Sequence, residues 1–262
     1  MAVYAIIGTG NMGGALAKGL CKNVNPDQVI LFNRTPEKAL RLAEALGCRV
    51  AASAKDAARQ ADYILLGVKP YLMAAVIEGF RQELRAGQTL VSMAPGFTMD
   101  DVRKMSGDDH PVIRIMPNTP VAVGAGMTLY ASDSYVPRDV LDTFLRDLSA
   151  CGRFAEMDEH LFEAGSAVSG CGPAFAALFM EALADGGVAC GLPRAKALEL
   201  AAQMMAGTAQ LALSGIHPGP LKDQVCSPGG TTIQGVRALE KGGLRSAVME
   251  AVIAAYEKSV GK

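Results

Sequence analysis

The chain has 262 residues, 50% of them hydrophobic and 19% charged, with 29 glycines, no tryptophan and 25 Lys+Arg against 26 Asp+Glu. Such a length and composition describe a soluble globular protein that can bury a substantial core without metal or disulfide staples. A net charge of −1 and the lack of any Lys/Arg run exclude the electrostatic footprint of a nucleic-acid binder.

Residues 1 to about 156 alternate short apolar runs with helical stretches. Val3 to Ile7, Val29 to Asn33, Tyr63 to Val68, Thr89 to Met93, Val112 to Ile115 and Met127 to Tyr130 read as strands. No basic segment precedes the first run, so it is a strand and not a secretory signal. Met12 to Lys22, Pro36 to Leu46, Ser53 to Ala61 and Tyr71 to Leu84 carry Ala, Leu, Val or Ile at helical spacing. Tyr63-Ile-Leu-Leu-Gly-Val68 is continuously apolar, as suits a strand covered on both faces. The order predicts an α/β fold in which a Rossmann-like doubly wound sheet occupies residues 1–158.

After about Asp158 strand-like segments stop, and residues 159–262 read as an all-helical domain. The helices are expected at Cys171 to Cys190, Arg194 to Ser214, Pro218 to Cys226, Thr231 to Glu240 and Gly243 to Ser259, with Gly/Pro punctuation between them. The stretch Ala174 to Leu192 carries Glu181 and Asp185 and reads as too polar for a membrane span of about 20 apolar residues. A cytoplasmic location with no membrane contact is therefore expected. Arg194 to Ser214 is apolar around most of its circumference and must be covered, either by a second subunit or as an ordinary core helix. Cys21, Cys48, Cys151, Cys171, Cys190 and Cys226 include no C-x-x-C pair, and the histidines are His110, His160 and His217. No metal site or disulfide framework is indicated, and the thiols read as small buried hydrophobes in a reducing compartment.

Gly8-Thr-Gly10-Asn11-Met12-Gly13 lies between the first strand and the first helix, the context that a dinucleotide fingerprint requires. Gly8 makes the tight turn, Gly10 lets the backbone approach a pyrophosphate, and Gly13 lets the helix pack on the strand. The amides of Asn11 and Met12 then meet the phosphate at a helix N-terminus. At the end of the second strand, where an NAD site places a carboxylate, stand Asn33, Arg34 and Thr35. A guanidinium with two hydrogen-bonding neighbours favours the 2′-phosphate of NADP(H), and NAD(H) stays possible because Glu37 is close by. In an open sheet the ligand crosses the carboxyl ends of the strands. The loops Gly67-Val68-Lys69-Pro70, Ala94-Pro95-Gly96 and Met116-Pro-Asn118 follow strands there and are expected to contact the cofactor. Lys69 would reach a ribose hydroxyl or the pyrophosphate, and Asn118 would orient the carboxamide.

In the helical domain, Ser227-Pro-Gly229-Gly230-Thr231-Thr232-Ile-Gln234 reads as a glycine-rich loop entering a helix, with Thr231-x-x-Gln234 as a capping box. Exposed amides at Gly229, Gly230, Thr231 and Thr232, with the Ser227 and Thr232 hydroxyls, form either a nest for a small carboxylate or simply a well-capped helix.

At these residues the chain resembles pyrroline-5-carboxylate reductase over nearly its whole length. The resemblance rests on Ile7-Gly-Thr-Gly-Asn-Met12, Gly67-Val-Lys-Pro70, Arg114-Ile-Met-Pro-Asn-Thr-Pro120, Val168-Ser-Gly-Cys-Gly-Pro173 and Glu181-Ala-Leu-Ala-Asp-Gly-Gly187. Val225-Cys-Ser-Pro-Gly-Gly-Thr-Thr-Ile233 is its most specific part. The resemblance implies reduction of the cyclic imine Δ1-pyrroline-5-carboxylate to L-proline with NAD(P)H in a homodimer or a ring of dimers. It further implies that Ser227, Gly230 and Thr231 bind the substrate carboxylate, that Thr232 bonds the ring nitrogen, and that this loop serves the cofactor of the dimer mate. No His, Asp or Glu lies in the loop, so Thr232 is expected to orient an already protonated iminium rather than to supply the proton. The chain departs from the family pattern at Pro95, where a small residue is usual, and at Phe175, where Tyr is frequent. Three rival readings are another small-imine or F420-type NADP oxidoreductase sharing the first domain, a non-enzymatic NADP(H) sensor, and, least favoured because the Gly/Pro loops cluster where ligands bind in this fold, a structural or scaffold role.

Overall fold

The computed structural model describes residues 1–107 and 110–261. Its contacts divide the chain into two compact units, Met1–Gly170 with Tyr256–Lys262, and Cys171–Ala255.

The first unit is built on a sheet whose strands run β3-β2-β1-β4-β5-β6-β7-β8. β1 (Tyr4–Ile7), β2 (Val29–Phe32), β4 (Tyr63–Leu66), β5 (Thr89–Ser92) and β6 (Val112–Pro117) are the strands that the apolar runs predict, each within two residues. All of them pair in parallel, with Tyr4 opposite Val29 on one side and Tyr63 on the other. Alternate residues of β1 feed opposite faces: Tyr4 and Ile6 join one core layer, Ala5 and Ile7 the other. Both faces are dry, which is why these strands are unbroken apolar runs. One layer is closed by α1 (Asn11–Leu20), α2 (Pro36–Leu46) and α6 (Arg138–Asp147), through Leu16, Leu20, Ala39, Ala43, Leu141 and Phe144. The other is closed by α3 (Ala54–Gln60), α4 (Met73–Glu78) and α5 (Met99–Ser106), through Ala57, Ala58, Met73, Ile77 and Val102.

The sheet is not parallel throughout. β7 (Gly126–Ser132) runs antiparallel to β6, and β8 (Gly152–Glu156) pairs in parallel with β7. The helix expected from Tyr71 to Leu84 is three pieces: a 3-10 turn Pro70–Leu72, α4, and a 3-10 turn Arg81–Glu83. Gly79, which closes α4, has little helical propensity, and Phe80 turns into the core. The first unit also extends past the boundary expected at residue 158. α7 (Phe162–Ser169) is held by fully buried Phe162, which packs with Met116 and Leu129, and by Arg114, which pairs with Glu159 and Glu163 at 3.3 and 2.8 Å.

The second unit holds α8 (Gly172–Ala189), α9 (Arg194–Leu213), α10 (Pro218–Gln224), α11 (Thr231–Lys241) and α12 (Leu244–Ser259) as far as Ala255. α8 and α9 meet along a seam of small residues. A Cβ on Gly187 would lie 3.2 Å from that of Ala197, and Ala184, Ala197 and Ala201 are the residues these two helices bury. Leu178, Leu198, Leu200, Met204, Leu211 and Leu213 are exposed on the same helices. The run Glu159–Ala189 contains an 18-residue window with a mean hydropathy of 1.4, long and apolar enough, by length and composition, to cross a membrane. This corrects the polarity argument made for Ala174 to Leu192, because Ala, Gly and Leu outweigh Glu181 and Asp185. The expectation that all six thiols are buried also fails: Cys171 and Cys190 are exposed, and Cys151 is buried in the first unit.

Candidate active site

The glycine-rich loop is tied down at both sides of β1. Gly8 N–H donates to Phe32 C=O of β2 at 2.8 Å, and Gly67 N–H, just past β4, donates to Ile7 C=O at 2.8 Å. Gly8 has φ +104°, and a Cβ there would stand 2.5 Å from Gly67 O; one on Gly67 would stand 2.5 Å from Gly8 O. A Cβ on Gly13 would collide with the Gly8 carbonyl. These three glycines are required by the fold itself.

Gly10 is different. Its φ is −70°, which any residue adopts, and a Cβ built on it meets nothing within 4 Å. It is the N-cap of α1 and makes no side-chain cap, so the helix begins with unsatisfied amides at Asn11 and Met12. Neither backbone strain nor packing calls for glycine here. The space above it is a cleft of about 760 Å³ running along the carboxyl ends of the strands.

Ile7, Gly8, Gly10, Asn11 and Met12 form the floor of this cleft. Phe32, Asn33, Arg34, Thr35 and Lys38 form the wall after β2. Gly67, Val68, Lys69, Pro70, Tyr71, Leu72 and Val76 form the wall after β4, and Met93, Pro95, Met116 and Pro117 the far end after β5 and β6. Most of the residues expected from the sequence therefore converge. Gly13 and Ala94 lie behind the surface, both buried, and Gly96 adopts φ +79° at an exposed turn beside the lining residue Pro95.

Two of the expected contact residues also hold the fold together. Asn33 accepts the Thr9 N–H on its Oδ1 at 3.1 Å and donates from Nδ2 to Thr35 C=O at 3.0 Å. Its side chain clips the second loop to the glycine-rich loop, and Arg34, Thr35 and Lys38 line the cleft beside it. Thr35 is the N-cap of α2, and its hydroxyl makes no cap bond. Asn118 does not line the cleft at all. Its Oδ1 accepts Met127 N–H at 2.9 Å and its Nδ2 donates to Ser169 C=O at 3.0 Å, so its side chain joins β7 to the end of α7. Lys38 and Tyr71 are cleft residues that the sequence reading missed. Lys38 is legible as the residue three positions beyond the N-cap Thr35, and Tyr71 as the neighbour of Lys69-Pro70.

In the second unit, Ser227-Pro228-Gly229-Gly230 is a turn. Gly230 N–H donates to Ser227 C=O at 3.0 Å, Pro228 takes the first corner and Gly229 the second with φ +70°, the residue pattern of a type II turn. The N-cap of α11 is Gly230, with no side-chain cap bond, and Thr231 is the first helical residue. The expected capping box of Thr231 and Gln234 is therefore not formed. Nor is the Gly230 amide available for an anion, since the turn uses it. The amides of Thr231 and Thr232 lie in the first helical turn, which has no acceptor of its own for them. A Cβ on Gly230 would collide with Ser227 Oγ, which lies over it. Turn and helix together present two amides and three hydroxyls, from Ser227, Thr231 and Thr232, with no acidic side chain in the first turn. Such a set suits a small carboxylate. Among the described residues no group of His, Cys, Asp and Glu is placed to hold a metal.

A family model described as pyrroline-5-carboxylate reductase dimerisation matches residues 159–261, and one described as NADP oxidoreductase, coenzyme F420-dependent, matches residues 3–96. The chain is 42% identical over 97% of its length to the pyrroline-5-carboxylate reductase of Escherichia coli (strain K12), covering 95% of that protein. It is similar to the solved pyrroline-5-carboxylate reductase of Coxiella burnetii, with a TM-score of 0.92 at 31% identity over 99% of this chain and 98% of that one. The Plasmodium falciparum pyrroline carboxylate reductase, solved with NADP bound, gives a TM-score of 0.88 at 31% identity, covering 98% of this chain and 97% of that one.

Proposed function

The chain belongs to the pyrroline-5-carboxylate reductase family, NADP(H)-using enzymes that reduce Δ1-pyrroline-5-carboxylate to L-proline, and we propose how its own residues perform that reaction. Gly10 carries the assignment of the cofactor site, because the absence of its side chain serves neither turn nor packing and leaves room for a diphosphate against the amides of Asn11 and Met12. Arg34, Thr35 and Lys38 supply two cations and a hydroxyl for a 2′-phosphate, with no carboxylate among the lining residues, so NADPH is preferred over NADH. Lys69 reaches the ribose or diphosphate from the β4 wall. The bound cofactor supplies the hydride.

Ser227, Thr231 and Thr232 hold the substrate carboxylate and ring nitrogen at the start of α11. The Thr231 and Thr232 amides and the positive end of the helix favour the anion. The Thr232 hydroxyl accepts the N–H of the ring iminium. Neutral threonine is too weak an acid to protonate the imine, so the substrate binds already protonated and the protein contributes orientation and charge complementarity. The exposed apolar surface of α8 and α9 is covered by a second copy of the chain and not by lipid. The chain is thus at least a dimer and has room to form a ring of dimers. It works in the cytoplasm, a reducing compartment that suits its free thiols.

The test follows NADPH absorbance with purified protein and Δ1-pyrroline-5-carboxylate at neutral pH, with NADH in parallel. Turnover with NADPH faster than with NADH is the expected result. NADH preference would overturn the 2′-phosphate assignment alone, and nucleotide binding without turnover would return the chain to a sensor role.

A further inference from the structure

Tyr71 is a large aromatic residue left almost wholly outside the protein, with 81% of its surface exposed. It is also a lining residue of the cofactor cleft. The fold makes no use of its ring: among the described residues its hydroxyl has no hydrogen-bond partner, and neither core layer includes it. Yet its backbone is fixed. Pro70 presets the first dihedral of the 3-10 turn Pro70–Leu72, and Leu72 N–H closes the turn onto Lys69 C=O at 2.9 Å. A rigidly presented, unpacked aromatic ring at the rim of a ligand cleft is the arrangement of a stacking platform.

Strand order says which part of the cofactor it meets. β1 lies between β2 and β4, so the loops after β2 and β4 flank the diphosphate-binding loop, while those after β5 and β6 lie beyond β4. The wall after β2 carries Arg34, Thr35 and Lys38, the groups for a 2′-phosphate, and a 2′-phosphate is attached to the adenosine ribose. The aromatic residues in the cleft lining are Phe32 and Tyr71. Phe32 is half-buried and packs against the core, which leaves Tyr71 as the ring that faces solvent. Resting on the NADP(H) reading above, we propose that Tyr71 stacks on the adenine base and makes the adenosine half of the cofactor an anchor independent of the nicotinamide half. Every base offers a π-face and a polar edge, so the ring binds by area and the phosphate contacts supply selectivity.

Three proteins test this: wild type, Tyr71→Ala and Tyr71→Phe, each titrated calorimetrically with NADPH and with adenosine 2′,5′-bisphosphate, which lacks the nicotinamide. Loss of a base-stacking ring weakens binding by roughly tenfold. The expected result is that Y71A loses affinity for both ligands by the same factor of about ten while Y71F stays within about twofold. Unchanged NADPH binding in Y71A overturns the proposal. So does a loss confined to NADPH, which would put the ring against the nicotinamide, or an equal loss in Y71F, which would make the hydroxyl the contact. Absence of NADPH binding to the wild type would overturn the cofactor assignment itself and so is distinguishable from the other outcomes. Because the ring is exposed, equal thermal unfolding of the three proteins is expected, and it confirms that binding and not folding is measured.

Discussion

Gly10, the N-cap of α1, and Gly13, in its first turn, have opposite reasons to be glycine. Adding a methyl group at Gly13 drives it into the Gly8 carbonyl, whereas at Gly10 it enters open space. Gly13→Ala is therefore expected to lower the thermal midpoint by several degrees, a cost of about 1–3 kcal/mol for overpacking. Gly10→Ala should leave the midpoint unchanged while raising the KM for NADPH tenfold or more, since about 1.4 kcal/mol of lost phosphate contact already gives that factor. A thermal melt and an NADPH titration on the two variants separate the roles. Thr232→Val is expected to lower kcat/KM for the imine by about 10- to 100-fold, the range for one hydrogen bond to a charged group. The fall in rate toward high pH should follow ionisation of the imine itself and keep its midpoint in T232V; a midpoint that moves with the substitution would make Thr232 part of the proton supply. The sequence displays residue types at this scale but not their partners. Asn33 and Asn118 each look like donors to a ligand, and both also act as structural clips whose partners, Thr9, Thr35, Met127 and Ser169, become evident only once the loops are folded together.

Elements were legible where burial on both faces writes an unbroken apolar run. β1, β2, β4, β5 and β6 emerge for that reason. β3 (Arg49–Val50) is a two-residue exposed edge, and β8 alternates half-buried with exposed positions, so neither leaves such a run. α5 and α6 leave no clear apolar spacing because charged residues crowd them: Asp100, Asp101, Arg103 and Lys104 in one, Arg138, Asp139, Asp142, Arg146 and Asp147 in the other. At the substrate loop the Thr-x-x-Gln spacing promised a capping box, and the Pro-Gly turn before it displaced the helix start by one residue, to Gly230. Charged tethers between elements are equally invisible in the sequence. Glu83, in the 3-10 turn after α4, pairs with Lys55 and Arg59 of α3 at 2.5 Å each. The hydrogen bond from Arg59, with that from Lys55, holds its carboxyl down at about 2. A carboxylate depressed in the folded state stabilises above its ordinary range near 4.5, and that contribution fades as pH falls toward 2. Glu83→Gln should thus melt slightly below wild type at pH 7, with the two midpoints converging between about pH 4.5 and 2. Exposure of both cations keeps the difference small. Parallel melting curves offset by a constant amount down to pH 2 would deny the pairing any role.

For the whole molecule, the sequence left α9 with two readings, an ordinary core helix or a helix covered by another subunit, because periodicity reports only that its circumference is apolar. Within one chain the helix buries Ala197 and Ala201 alone and exposes Leu198, Leu200, Met204, Leu211 and Leu213, so no core of its own chain surrounds it. Exposed apolar area of that extent marks an association surface. The family model over residues 159–261 is one of dimerisation, and in a two-fold dimer every interface residue is used twice. If α9 forms that interface, a charge at Leu200 or Leu211 enters it from both copies, at a cost of several kcal/mol. Sedimentation of the wild type at micromolar concentration is expected to give a mass of two chains or a multiple of two. The double variant Leu200→Glu/Leu211→Glu should sediment as a single chain and lose most of its turnover, because the helical unit that carries Ser227 to Thr232 loses its covering. Its NADPH binding should persist, since the first unit has its own two-layered core and contains the cleft entirely. A monomeric wild type that turns over at full rate would mean that these helices are covered by something other than a second copy. Loss of NADPH binding together with dimerisation would mean instead that the nucleotide cleft depends on the assembly.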